Sequence, residues 1–296
     1  MLAIESHISA PPPEPPRRRL TGIEAIPPLP AVAIQVLSLL LEPDPETDQL
    51  AGALQTDPAF SAELLRLANS PLFGAVREVK SVPHAITMLG RNRLRGLTLT
   101  VAIRSYLMKE VHPEILQRAW WHSIAAAIIA EQLSQPAGME PETAYAAGLL
   151  HDAGRLGLIA AFPAQYADYL RTVAADPRSP LDLEREFFGL DHCEAGILLA
   201  EEWRLPPEIS LAAARHHGRG NPREPMIVTL IRFSCGLAEV LGFGSVRPLP
   251  PADAQRTLHE LGDVAEAFWH IRIEDLQARL DGSIREIALA MDLARR

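Results

Sequence analysis

The stretch GLLHDAGRLGL at residues 148–158 decides how the rest of the chain is interpreted. It begins with the apolar pattern of a helix and then places a histidine and an aspartate side by side, at His151 and Asp152. An imidazole nitrogen and a carboxylate oxygen are both good ligands for a transition metal, and a carboxylate can bridge two ions. We therefore predict a metal-binding pair near the end of this helix and a break in the helix at Gly154.

Further histidines occur on other predicted helices of the same region. His122 follows two tryptophans, His192 follows an aspartate that can cap a helix, and a histidine pair occupies positions 216 and 217. A metal site inside a helical bundle needs ligands from several helices that converge on the ion. The sequence therefore predicts a metal centre with these ligands: His122, His151, Asp152, His192, His216 and His217.

The same side chains allow a second interpretation, in which no metal binds. Buried histidines and Asp152 can satisfy one another through hydrogen bonds, and an unsatisfied buried polar group costs ~1–3 kcal/mol. The residues alone do not decide between a metal centre and a buried hydrogen-bond network.

Apolar residues recur at helical spacing from Leu29 onward, and proline or asparagine separates one run from the next. Aromatic residues make up only 5% of the chain, while alanine and leucine are abundant, which favours helices over strands. We predict an all-α fold. The predicted helices lie at 30–42, 46–56, 58–69, 82–90, 92–108, 114–134, 140–152, 155–161, 163–174, 180–188, 192–203, 206–217 and 224–241, with further segments beyond 251.

The composition excludes several classes of protein. The 296 residues are 48% hydrophobic, enough for a large core, and carry a net charge of −9. We expect neither nucleic acid nor an anionic membrane as a partner, although Arg91, Arg93 and Arg95 offer a local phosphate-binding patch as an alternative. Two cysteines cannot make a disulfide framework, and no apolar run is long enough for a membrane span or a signal peptide. We expect a cytoplasmic protein.

Four segments are expected along the chain. Residues 1–22 form a flexible tail rich in proline and arginine, and residues 23–110 form an N-terminal helical part. Residues 111–245 contain the clustered histidines and form a second bundle, and residues 246–296 form a C-terminal helical extension. The extension is amphipathic around Ile284, so it could pack on the body of the protein or on a second copy in a homodimer.

The order of the histidines resembles that in the HD superfamily of metal-dependent phosphohydrolases, with a spacing most similar to the HD-GYP branch. A narrower resemblance, to the HDOD family (the HD-related output domain), covers roughly residues 23–245. It rests on TDPAFSAELLRLANS at 56–70, SVPHAITMLG at 81–90, GLLHDAGRLGL at 148–158, EEWRLPPEIS at 201–210 and LAEVLGFG at 237–244. The resemblance implies an HD-type helical bundle with an N-terminal helical subdomain.

Resemblance to HDOD proteins implies a bacterial signal-transduction output module that acts through a signalling protein partner or a small nucleotide. The alternative is a metal-dependent phosphohydrolase or phosphodiesterase that acts on a nucleotide, with Asp152 and Arg155 as catalytic residues. A divalent metal held here would be iron, manganese, zinc or nickel, since histidine and carboxylate ligands suit all four. Whether the chain is an enzyme is left open.

The chain departs from the pattern of the active hydrolases at three places, one of which is Arg155, where a lysine often follows the histidine and aspartate. The HD superfamily places its last metal-binding aspartate in a later helix, and the matching position here is Cys235. The loop after Gly154 contains no GYP-like triplet, so hydrolysis of cyclic di-GMP is not expected. Cys235 itself has two interpretations, either a thiolate ligand for zinc or a small side chain packed in the core.

Overall fold

The computed structural model describes residues 31–40, 47–56, 78–89, 113–218 and 223–246, with most of 61–69 and 275–284. Within these residues every regular element is a helix and none is a strand. The predicted all-α fold is therefore confirmed.

The helices with defined ends follow the predicted runs to within a few residues. They are α1 (Ala31–Leu40), α2 (Thr47–Gln55), α3 (Val82–Leu89), α4 (Pro113–Leu133), α5 (Pro141–Leu150), α6 (Ala153–Ala161), α7 (Pro163–Ala175), α8 (Pro180–Phe188), α9 (His192–Glu202), α10 (Pro207–Arg215) and α11 (Met226–Val240). Helical residues also occur at 61–68 and at 275–284 where these are described. Among the described helices, none is long and apolar enough to cross a membrane, including the 21-residue α4.

Helices α1 to α3 belong to the predicted N-terminal part, and α4 to α11 form the histidine-bearing bundle. Helix α1 packs against α2 and also contacts α5. The predicted boundary at residue 110 lies outside the described residues, as do the tail at 1–22 and most of the extension after 246. The predicted helix at 92–108 and the three arginines at its start also lie outside them.

The centre of the bundle is α4, which packs against α5 and α11. The alanines of α4 at positions 125–127 and 130 are fully buried, so a neighbouring helix can approach closely. A Cβ atom on Gly148 of α5 would lie only 2.6 Å from the Cα atom of Ala127, so only glycine fits this contact. The close approach carries the end of α5, with its histidine and aspartate, to His122 of α4.

The predicted helix break at Gly154 is wrong in its position. Helix α5 ends before His151 and Asp152, which form the turn, and α6 already includes Gly154. A Cβ atom on Gly154 would lie 1.9 Å from the carbonyl oxygen of His192 and 2.4 Å from the backbone nitrogen of Gly196. The glycine is present because α9 passes this close to α6, and not because a helix ends there.

Gly154→Ala is expected to destabilise the protein by about 3 kcal/mol, the upper part of the usual range for overpacking, because rigid backbone atoms of α9 must move. Urea denaturation measures the change. Gly52→Ala in α2 is the matched control, since nothing lies within 4 Å of the added Cβ atom. Alanine favours a helix over glycine by roughly 0.5–1 kcal/mol, so the control should be slightly stabilising. Equal effects of the two substitutions would contradict the contact between α6 and α9.

Helix α9 begins with a capping box. The side chain of Asp191 accepts a hydrogen bond from the backbone N–H of Glu194 at 2.8 Å, and the Glu194 carboxylate accepts one from the backbone N–H of Asp191 at 2.8 Å. The reciprocal bonds satisfy two backbone donors and fix the first turn. The predicted cap at Asp191 is confirmed, and it holds His192 at the first position of the helix.

Candidate metal centre

The structure brings the predicted metal ligands together between the ends of several helices. His122 comes from α4, the adjacent histidine and aspartate from the turn between α5 and α6, and His192 from the start of α9. The pair His216 and His217 follows the end of α10 at Arg215, whereas the predicted helix at 206–217 contained both histidines. All of these side chains are at most 1% exposed except that of His217, which is partly buried. The cluster is therefore almost closed to solvent.

Three of the histidines are anchored through their Nδ1 atoms to backbone carbonyls. His122 Nδ1 lies 2.7 Å from the oxygen of Phe243, and His151 Nδ1 lies 2.6 Å from that of Gly148. His216 Nδ1 lies 3.1 Å from two carbonyls in the last turn of α10. A carbonyl oxygen can only accept, so each Nδ1 donates, and in a neutral ring the Nε2 atom keeps its lone pair.

The fourth histidine is anchored by a carboxylate that the sequence analysis missed. His192 Nδ1 lies 2.5 Å from Glu184 Oε2, which also accepts a hydrogen bond from the His192 backbone N–H at 3.0 Å. Glu184 is fully buried on α8, on the same side as Phe188 one turn later. The four-residue spacing between Glu184 and Phe188 is the sequence signal for this role of Glu184, because a charged residue on the apolar side of a helix needs a buried partner.

The Nε2 atoms and Asp152 form one compact group, called site A here. His192 Nε2 lies 3.3 Å from His216 Nε2, and Asp152 Oδ1 lies 3.3 Å from the former and 3.5 Å from the latter. Although Asp152 Oδ1 is buried, it forms no hydrogen bond of ordinary geometry. His217 adds a ring whose centroid is 4.3 Å from that of His216 and 4.9 Å from that of His192.

A second group, called site B, lies on the other side of the same aspartate. His122 Nε2 is 3.2 Å from His151 Nε2 and 3.5 Å from the sulfur of Cys235 on α11. Asp152 Oδ2 is 4.0 Å from His122 Nε2. Each interpretation of Cys235 has support. The side chain is 4% exposed, as in a packed core, and its sulfur lies beside two imidazoles, as in a metal site.

The donor sets of both sites fit a transition metal. In a tetrahedral site with metal–nitrogen bonds of 2.0–2.1 Å, two ligand nitrogens lie about 3.3–3.4 Å apart. The separations of 3.2–3.5 Å between the donor atoms of sites A and B are close to this value. Anchored Nδ1 atoms also match the usual arrangement of metal-binding histidines, in which the second nitrogen donates to a carbonyl or carboxylate. The buried histidine and aspartate groups can therefore hold a metal.

The electrostatics of the centre keep Asp152 ionised and His151 neutral. Burial opposes the charge on Asp152, but the Arg155 guanidinium and His192 outweigh it and hold its pKa well below the usual range. Burial, together with the neighbouring histidines, lowers the pKa of His151 far below its ordinary value despite the nearby carboxylate. The anionic oxygen and the bare imidazole nitrogen are the protonation states that a metal requires.

His192 differs from the other histidines in its charge. Burial and Arg155 oppose its protonation, but Glu184 and Asp152 outweigh them and raise the pKa of His192 to about 10. Burial lowers the pKa of His216, whose ring faces the ring of His192. A metal in site A requires His192 in its neutral form, with a lone pair available on Nε2.

Arg155 connects Asp152 of the centre to the buried carboxylate of Glu184. Its Nε donates to Asp152 Oδ2 at 2.8 Å, its Nη1 donates to Glu184 Oε1 at 2.6 Å, and its Nη2 lies 3.0 Å from the His192 ring. Tyr169 also donates to Glu184 Oε1, at 3.1 Å. The guanidinium is 2% exposed and fully engaged, so the structure shows Arg155 in a positioning role. Catalytic roles for Arg155 and Asp152 stay predictions.

The chain is similar to known proteins in sequence and in fold. The sequence profile of the HDOD domain family matches residues 26–219, more than half of the chain. An uncharacterized protein of Treponema pallidum (strain Nichols) is 24% identical over 213 residues, which are 70% of this chain and 41% of that protein. The chain thus spans less than half the length of this relative.

Three solved structures are similar over most of the chain. An HDOD domain protein of unknown function from Geobacter sulfurreducens has a TM-score of 0.71 at 26% identity and covers 94% of this chain and 97% of its own. A candidate signal transduction protein from Marinobacter aquaeolei VT8 has a TM-score of 0.69 at 23% identity, and the similarity covers 94% of this chain and 64% of that protein. A candidate phosphohydrolase from Shewanella amazonensis SB2B has a TM-score of 0.68 at 23% identity, and the similarity covers 93% of this chain and 96% of that protein. The last two show a shared fold alone.

Proposed function

The chain belongs to the HDOD domain family, and on that premise we propose that it is a signal-transduction module that acts by conformational change and not by catalysis. A divalent transition metal, iron, manganese, zinc or nickel, is held in the buried centre and joins α4, α9, the turn between α5 and α6 and the residues that follow α10. The partner is a signalling protein or a small nucleotide, which binds the surface between the N-terminal part and the histidine-bearing bundle. A homodimer through the C-terminal extension belongs to the same proposal.

The observation that carries the proposal is the burial of the centre. A catalytic metal site keeps a position open for water and substrate, whereas a structural site is closed. Five of the six predicted ligands are at most 1% exposed, and Arg155, the cation that would face a phosphate, is already paired with Asp152 and Glu184. A phosphate ester could reach Asp152 only after the surrounding helices had moved.

A second candidate function is a metal-dependent phosphohydrolase, and one observation favours it. His217 is partly exposed while its ring contacts His192 and His216, so site A has one side close to solvent. There the metal would supply a Lewis acid for phosphoryl transfer. Asp152 would bind the metal. Arg155 would keep the Asp152 carboxylate ionised and oriented.

A turnover assay separates the two functions. The protein is loaded separately with Fe²⁺, Mn²⁺, Zn²⁺ or Ni²⁺ and incubated with bis(para-nitrophenyl) phosphate and with a cyclic dinucleotide. We expect no turnover above that of Asp152→Asn, which keeps the size of the side chain but removes its charge. Metal-dependent turnover that disappears in Asp152→Asn would contradict the proposal and establish the hydrolase.

A further inference from the structure

We propose that Cys235 is a metal ligand and that site B is a closed zinc site with mixed nitrogen and thiolate donors. The inference rests on the proposed metal centre and goes beyond it, because it makes the two halves of that centre chemically different. Its evidence is the position of the Cys235 sulfur relative to His122 and His151.

The separations between the donor atoms fit zinc with a sulfur ligand. With Zn–N bonds of 2.0–2.1 Å and a Zn–S bond of 2.3 Å, tetrahedral geometry places two nitrogens about 3.3–3.4 Å apart and a nitrogen and the sulfur about 3.5–3.6 Å apart. The structure has 3.2 Å between the Nε2 atoms of His122 and His151, and 3.5 Å between His122 Nε2 and the Cys235 sulfur. The Cys235 sulfur thus lies at the distance from His122 that a tetrahedral zinc site requires, and the donor atoms of His122, His151 and Cys235 all lie within 4.8 Å of one another.

The anchoring of the two histidines is a second and independent observation. Both Nδ1 atoms donate to backbone carbonyls, so two nitrogen lone pairs face each other across 3.2 Å when the rings are neutral. His151 is fully buried and His122 is 1% exposed, so water cannot screen this repulsion. A cation between the two nitrogens and the sulfur removes it, whereas a thiol hydrogen bond to His122 would satisfy only one of the nitrogens.

Binding of the metal at site B needs no oxidant or reductant. The S–H bond of Cys235 breaks, its proton leaves to solvent, and the sulfur electron pair forms the bond to the metal. Thiolate is a soft ligand that suits zinc, while the carboxylate and imidazoles of site A also suit manganese and iron. Site B therefore favours zinc over manganese and iron, and its donors are buried from solvent.

Cobalt substitution tests the inference on the whole protein, without any assay of activity. Co²⁺ bound to a thiolate gives a near-ultraviolet charge-transfer band, while its visible bands report tetrahedral binding by any ligands. We expect both kinds of band in the wild type and in Cys193→Ser. We expect the charge-transfer band to be lost in Cys235→Ser. The affinity for zinc should fall by at least ~10–100-fold, the usual cost of changing a residue that only hydrogen-bonds to a metal ligand.

Cys193→Ser keeps the test decisive even if Cys235→Ser does not fold. The chain contains two cysteines, both buried, so a charge-transfer band that survives in Cys193→Ser must come from Cys235. Cys235→Asp is a further matched variant, which should keep visible cobalt bands without charge transfer.

The outcomes separate this inference from the proposed metal centre. Visible bands without a charge-transfer band in the wild type would overturn the role of Cys235 and leave a metal centre of histidine and aspartate. A charge-transfer band that disappears in Cys193→Ser would also overturn it. A folded wild type with neither kind of band would overturn both the inference and the metal centre.

Discussion

Replacing Arg155 with methionine is expected to lower the free energy of unfolding by about 3–5 kcal/mol, the cost of removing one partner from a buried ion pair. The guanidinium lies between Asp152 and Glu184, at 2.8 Å and 2.6 Å, and all three side chains are at most 2% exposed. Methionine fills much of the same volume but leaves two buried carboxylates without their shared cation. The substitution should also raise the pKa of Asp152 and weaken metal binding.

Urea denaturation of Arg155→Met, Arg155→Lys and Arg178→Met measures this effect. Lysine keeps the charge but cannot donate to both carboxylates in the geometry of a guanidinium, so an intermediate loss is expected. Arg178 is the control, because it pairs with Asp176 and Glu186 while half exposed, and such pairs contribute little to stability. Similar losses for Arg155→Met and Arg178→Met would contradict the buried network.

Removal of the metal is the second large expected effect. A ligand that binds the folded state alone stabilises it by about 4 kcal/mol when its free concentration is about 1,000 times the Kd. The donors of this centre come from α4, α9, the turn between α5 and α6 and the residues after α10, so the metal connects segments far apart in sequence. We expect a chelator to lower the Tm of the wild type clearly and added Zn²⁺ to restore it.

Asp152→Asn is the control for this measurement. The asparagine amide can donate a hydrogen bond to His216 Nε2, which Asp152 Oδ1 faces at 3.5 Å, so the variant should fold. Without the charge of the carboxylate its Tm should respond little to metal or chelator. A wild type and a variant with the same response to chelator would indicate that the metal acts elsewhere. An unchanged Tm in the wild type would favour the hydrogen-bond network.

Much of the fold could be predicted from local patterns in the sequence. Helix positions followed from apolar periodicity, and the start of α9 followed from Asp191, because a cap depends on residues three positions apart. The six predicted ligands lie together in the structure. They could be identified because a buried metal site needs polar residues on otherwise apolar helices, and the chain has few such residues. These predictions rest on signals that are close together in the chain.

Features whose cause lies in another helix could not be predicted from the sequence. The sequence suggests a helix break at Gly154, but the reason for this glycine is the backbone of α9 at His192. The partners of Arg155 could not be predicted either, because Glu184 and His192 are 29 and 37 residues away in sequence. Cys235 had two interpretations, since only the packing of α11 against α4 places its sulfur beside His122.

The metal content of the purified, untagged protein, measured by mass spectrometry, tests the central claim most directly. Wild type is compared with the double variant His151→Ala, Asp152→Ala and with Asp152→Asn, after exposure to iron, manganese, zinc and nickel and removal of unbound metal. We expect stoichiometric metal in the wild type and its loss in the variants. A folded wild type that retains none of these metals would contradict the proposed metal centre and leave the buried histidines as a hydrogen-bond network.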